Sequence, residues 1–131
     1  METRSRFPDK VRQPGYSQIS SSTYLTSNTG GWDIRDNQPH IEEDLEAEYE
    51  KAFQNVETAL KDAGGEGWSQ VFRVNSYHLG EPTLEVTAIM AKLFKKYIPN
   101  HRPIWTEIGV AALAHPDMHV EIEVAAYDPQ K

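Results

Sequence analysis

Two extended runs close this chain and commit it to a sheet. The first is His101-Arg102-Pro103-Ile104-Trp105-Thr106-Glu107-Ile108-Gly109-Val110-Ala111-Ala112-Leu113, the second His119-Val120-Glu121-Ile122-Glu123-Val124. Between them, Ala114-His115-Pro116-Asp117-Met118 carries a Pro-Asp turn signal, so the runs are expected to pair as a hairpin. Side chains alternate along a strand. Ile108 and Val110 therefore share a face, as do Val120, Ile122 and Val124, and these apolar faces are expected to lie under helices. Trp105, Glu107, Glu121 and Glu123 then point to the opposite face.

Helical periodicity supplies the covering layer. From about Glu42 to Ala63, the residues Leu45, Tyr49, Ala52, Phe53, Val56, Ala59, Leu60 and Ala63 recur at helical spacing and build one apolar stripe. Gly64-Gly65 stops that helix. A strand is expected over about Ser69 to Leu79. A second helix starts near Pro82, ends before Pro99, and carries the stripe Val86, Ile89, Met90, Leu93, Phe94 and Tyr97. Upstream, Ser17 to Asn28 reads as a hairpin turning at Ser20-Ser21-Ser22. Thr29 to Asp33, with its double glycine, reads as a loop, and Asp36 to His40 as a polar connector. The order β-β-α-β-α-β-β defines a two-layer α/β sandwich. Its uncovered sheet face, carrying Trp, Tyr and Glu, calls for burial against another copy.

A chain of 131 residues is one domain by size. Residues 1–15 are polar and proline-bearing, which predicts a flexible arm ahead of a single domain over 16–131. A formal charge of -7 argues against nucleic acid as the main partner. The one basic cluster, Lys92, Lys95 and Lys96, reads as the solvated side of a helix. No apolar run approaches the ~18 residues of a membrane span, and the start of the chain makes a poor export signal, so the cytosol is the default address. Cysteine is absent, which excludes disulfides and thiol nucleophiles. His115, Asp117 and His119 lie in and beside a tight turn without a fourth ligand, so no metal is expected. No nucleotide-binding glycine loop occurs, and no cofactor is expected.

Tyr16-Ser17-Gln18, Gly30-Gly31, the long acidic helix ending Ala63-Gly64-Gly65 and the two terminal runs, in that order, resemble the Rid (reactive intermediate deaminase, YjgF-like, L-PSP) family. That family's terminal pattern is Pro-x-Arg-[Ser/Thr], an alternating strand ending in Leu, a short turn, and Val/Ile-Glu-Ile-Glu. Pro103, Thr106, Leu113 and Glu121 fall on it, while Trp105 occupies the place of the arginine that grips a substrate carboxylate. The resemblance implies a chorismate-mutase-like fold of the bacillus type, assembled as a homotrimer with small-molecule sites in the clefts between subunits.

The same resemblance nominates site residues. Glu121 matches the glutamate that holds or activates a water, a role suited to a carboxylate of raised pKa; otherwise it is a strand glutamate facing solvent. Trp105 exchanges a bidentate cation for one neutral N–H and an apolar wall, or else fills an interface. Glu107 stands where many relatives carry a cysteine or small residue, and on a shared face it would pair with Glu121 as acid and base. Arg102, three residues before Trp105, could reach in to replace the missing arginine, although odd spacing puts it on the other side of the strand if extension continues there. Tyr16, Gly31, Trp32 and Thr87 match positions lining the cleft. The expected function is a diverged pathway enzyme that binds a small aromatic or apolar metabolite and uses glutamate acid–base chemistry. Deamination of 2-imino or enamine acids and a non-catalytic ligand-binding or interaction trimer are the alternatives.

Overall fold

The computed structural model describes residues 17–18, 23–25 and 29–129. Tyr16 and the expected arm over 1–15 lie outside them. In chain order the strands are β1 (Ser17–Gln18), β2 (Thr23–Leu25), β3 (Thr29–Gly30), β4 (Trp32–Arg35) and β5 (Gln38–Ile41). Then follow α1 (Leu45–Asp62), a short 3-10 turn (Trp68–Gln70), β6 (Val71–Leu79), α2 (Leu84–Tyr97), β7 (Ile104–Val110) and β8 (Val120–Tyr127).

Both helices begin on a side-chain cap. The Asp44 carboxylate accepts the amide of Ala47 at 2.9 Å, and the Thr83 hydroxyl accepts that of Val86 at 3.3 Å. Their stripes meet one face of the sheet. Tyr49, Phe53, Val56 and Leu60 from α1 and Met90, Leu93 and Phe94 from α2 close over Val74, Val120, Ile122 and Val124. Trp68 stacks on Phe53 at 4.6 Å and donates its indole N–H to the Phe53 carbonyl at 2.8 Å. No helix among the described residues is long and apolar enough to cross a membrane.

The sheet order is β1-β2-β8-β6-β7, with β3 also pairing with β8. The terminal runs therefore do not form the expected hairpin. β7 runs parallel to β6, and β8 lies antiparallel on the other side of β6. The reason is the β6-α2-β7 crossover: a helix between two strands returns the chain parallel to where it started. The connector then passes the end of β6, where Val110 accepts from Gly80 at 2.8 Å and His119 accepts from Leu79 at 3.0 Å. β7 is left as the edge strand.

Two other expectations change. The loop and connector over 29–40 are largely strand: β3 pairs with β8, and β4 pairs with β5 across Asp36-Asn37. Both turn residues have positive φ, 53° and 62°, the geometry of a type I′ hairpin. The faces of β7 are also reversed. Ile108 pairs with Tyr77 and Ile104 with Arg73 on the open face, while Trp105 and Glu107 point toward α2.

Candidate ligand site beneath the edge strand

Alternation along β7 and β6 brings four side chains together on the helix side of the sheet: Trp105 and Glu107 from β7, Ser76 and His78 from β6. Trp105 packs edge-on against Phe94 of α2 at 5.0 Å, and its indole N–H donates to the Ser76 hydroxyl at 2.9 Å. From α2, Thr87 donates its hydroxyl to Oε1 of Glu107 at 2.7 Å. The other carboxylate oxygen, Oε2, is covered and has no hydrogen-bond partner among the described residues, on a side chain that is 18% exposed.

Behind Glu107 stands His78, 1% exposed. Its Nδ1 lies 2.6 Å from the Tyr49 hydroxyl and its Nε2 lies 2.8 Å from the Ser76 hydroxyl. Burial pushes the imidazole pKa below its ordinary value, against the opposing pull of Glu107. Burial also raises the Tyr49 phenol, with the negative charge of Glu48, Glu107 and Glu85 adding to it. Tyr49 therefore stays protonated and donates to Nδ1. A neutral imidazole that accepts at Nδ1 carries its proton on Nε2, which assigns the tautomer by donor capacity. That N–H points to Ser76, with Glu107 Oε2 at 3.8 Å, beyond hydrogen-bond reach.

Glu121 belongs to the other face. It is 8% exposed, stands opposite Tyr77 in the β6–β8 ladder, and accepts the amide of Ala114 at 3.0 Å through Oε2. Glu123 beside it takes Asn75 at 3.0 Å and the Tyr77 hydroxyl at 3.3 Å. Within one copy, then, Glu121 is separated by the sheet from both Glu107 and Trp105. The expected shared face does not form, because β7 meets β6 and not β8.

The remaining nominees separate as well. Arg102 donates to the carbonyls of Ile98 and His101 at 3.3 and 3.1 Å, at the C-terminal end of α2. Gly31 is buried so close to α1 that a Cβ would stand 1.9 Å from the Glu48 carbonyl oxygen, so packing alone requires glycine there. Trp32 is largely exposed on β4, its carbonyl held by Asn55 at 2.8 Å. His119 engages Glu48, which is fully buried and accepts both the His119 amide at 2.6 Å and its ring Nδ1 at 2.8 Å. Tyr49, Ser76 and His78 were not nominated from sequence. Their signal was present: in the run Val74-Asn75-Ser76-Tyr77-His78, Ser76 and His78 share the face of core Val74.

The arrangement is the chorismate-mutase-like α/β sandwich, extended by the β4–β5 hairpin. A family model described as endoribonuclease L-PSP matches residues 11–128, and the chain belongs to that family, which includes the YjgF and Rid proteins. RidA from a Psychrobacter species superposes with a TM-score of 0.72 at 23% identity, over 87% of this chain and 86% of that one. Rv2704 of Mycobacterium tuberculosis gives 0.70 at 23% identity over 98% and 97%. TdcF of Escherichia coli, a structure with bound serine, gives 0.69 at 17% identity over 87% and 86%. No curated protein sequence matches the chain.

Proposed function

We propose that this protein is a homotrimer binding a small aromatic or otherwise apolar metabolite in clefts between subunits, with Glu121 and Glu107 performing acid–base chemistry there. The carrying observation is the position of Glu107 on the helix side of an edge strand. A cleft at that edge is lined by helix-side groups of one subunit and open-face groups of the next. Glu107 of one copy and Glu121 of its neighbour then share it, although the sheet divides them within a copy. The open face supports assembly: Ile104, 69% exposed, Leu79 and Tyr127 are large apolar side chains exposed on it. In such a cleft Glu107, backed by Thr87, and Glu121, oriented by the Ala114 amide, add and remove protons on a bound imine, enamine or similar intermediate.

Ordinary 2-imino acid deamination is the weaker reading, because Trp105 brings no charge and Arg102 is directed to backbone carbonyls. A non-catalytic trimer draws support from Trp105 itself, whose N–H and ring are both engaged inside the subunit. Light scattering tests the assembly on which the first reading depends. A trimer at micromolar concentration is expected; a monomer eliminates the shared cleft. A proton-exchange assay by NMR on imine and enamine probes then separates the enzyme from the passive trimer.

A further inference from the structure

Charges buried in a protein are paired or fully hydrogen-bonded, because desolvating an ionised carboxylate costs several kcal/mol or more. Glu48, which is fully buried, and Glu107, whose side chain is 18% exposed but whose Oε2 is covered, obey that rule differently. Glu48 receives two N–H donors from His119. Glu107 receives one neutral hydroxyl from Thr87, and its second oxygen has no donor. Among the described residues, the basic group within ion-pair distance of Glu107 is His78, at 3.8 Å. His78 is a poor counter-ion: its two nitrogens are engaged by Tyr49 and Ser76, and burial favours the neutral ring. The described residues thus hold a carboxylate in place and supply no cation for it.

We propose that Glu107, held by Thr87 and flanked by Trp105 and His78, is the receptor for a protonated nitrogen on the ligand, either a primary ammonium or an amidinium. This rests on the cleft described above and narrows its ligand class from apolar to aromatic-plus-cationic. Oε2 accepts an N–H from the ligand while Oε1 keeps Thr87. Charge-assisted bonds of this kind are about twice as strong as neutral ones. In the isolated subunit Oε2 is closed off; in the assembled cleft the ligand reaches it from the edge of β7, which among the described strands has a paired neighbour on one side only. The Tyr49–His78–Ser76–Trp105 chain acts behind the receptor. It keeps a neutral imidazole next to the carboxylate, so that the ligand's charge meets no competing cation.

Calorimetric titration of the full chain with benzylamine, benzamidine, benzyl alcohol and benzoate tests this. The wild type is expected to bind the two cations about tenfold or more tightly than benzyl alcohol, and benzoate least. Glu107→Gln should remove that preference, weakening the two cations by about tenfold to a hundredfold. The comparison of benzylamine with benzyl alcohol in the wild type needs no variant, so it stands even if Glu107→Gln folds poorly. Equal binding of the two by a trimeric wild type, a preference that survives Glu107→Gln, or no binding of either cation overturns the cation receptor. A trimer that binds benzyl alcohol in any of these cases leaves the intersubunit cleft intact, whereas a monomer removes both.

Discussion

The phenol of Tyr49 on α1 donates to Nδ1 of His78 on β6 across 2.6 Å, with the two rings stacked at 5.6 Å. This contact joins α1 to the sheet through a polar bond, as Thr87 and Glu107 join α2 to it. Tyr49→Phe keeps the ring and strands Nδ1. A buried group left without its partner costs about 1–3 kcal/mol. Urea denaturation should register a loss in that range. The imidazole nitrogen signals should also show the Nε2–H tautomer giving way, since nothing then requires Nδ1 to accept. An unchanged tautomer would mean that Ser76 alone sets it.

His78 also makes stability depend on pH. Its folded pKa is depressed by burial, against the attraction of Glu107, while an unfolded histidine titrates near ~6.5. Between those values the unfolded chain holds more protons, so stability rises with pH. The contribution is complete above the unfolded pKa and is lost as pH falls through the folded one. Denaturation midpoints measured from roughly pH 7 down to pH 5 should fall, and His78→Gln should flatten that part of the profile. Equal slopes in both proteins would assign the acid sensitivity elsewhere.

Gly31→Ala should be among the most damaging small changes in the chain. The new methyl carbon would stand 1.9 Å from a backbone oxygen of α1, which cannot rotate away. Overpacking of this kind costs about 1–3 kcal/mol or more. Thermal unfolding should show the loss, whereas a change that leaves the melting temperature in place would require α1 to shift along its axis.

Restoring an arginine at position 105 should not by itself recreate a carboxylate receptor. The side chain at 105 points to the same side of β7 as Glu107, two residues on, so the new guanidinium would pair with Glu107. Trp105→Arg is therefore expected to bind small carboxylates no better than the wild type. Combining it with Glu107→Ala should improve binding by about tenfold or more. Titration with pyruvate and serine distinguishes the two; carboxylate binding by the single variant would place its arginine away from Glu107.

A low rate of 2-aminoacrylate deamination is a further expectation. Losing a charged hydrogen-bond partner costs roughly 1.5–3 kcal/mol, ten- to a hundredfold in rate or affinity. An assay coupled to a dehydratase measures it, and turnover equal to that of an arginine-bearing relative would count against the whole assignment of Trp105.

Both helices were legible in the sequence, because a stripe such as Tyr49, Phe53, Val56 and Leu60 has a period that only a helix satisfies. Strand order was not. Which strand β7 joins depends on β6, some thirty residues away, and the turn signal at Pro116-Asp117 suggested a local partner instead. The orientation of β7 was hidden for a related reason. Ile104, Ile108 and Val110 on one face and Trp105 on the other are all apolar, so hydrophobicity cannot say which face is inward. The β4–β5 hairpin turns on Asp36-Asn37, two residues that tolerate positive φ but whose polarity alone fits a connector equally well. Ser76 and His78 are polar residues in a strand, and polarity alone points such residues to water although both are buried.

The connector between β7 and β8 determines more than chain direction. Ala114 within it supplies the amide held by Glu121, and His119 at its end is gripped by Glu48 of α1. Met118 packs into the space beside Gly30. The orientation of a buried strand carboxylate is therefore delegated to a connector that is itself anchored by Met118 and by the His119–Glu48 pair. Shortening or lengthening residues 111–117 by a single position would re-aim Glu121 with the anchors at Met118 and His119 kept, a route by which one scaffold acquires different chemistry.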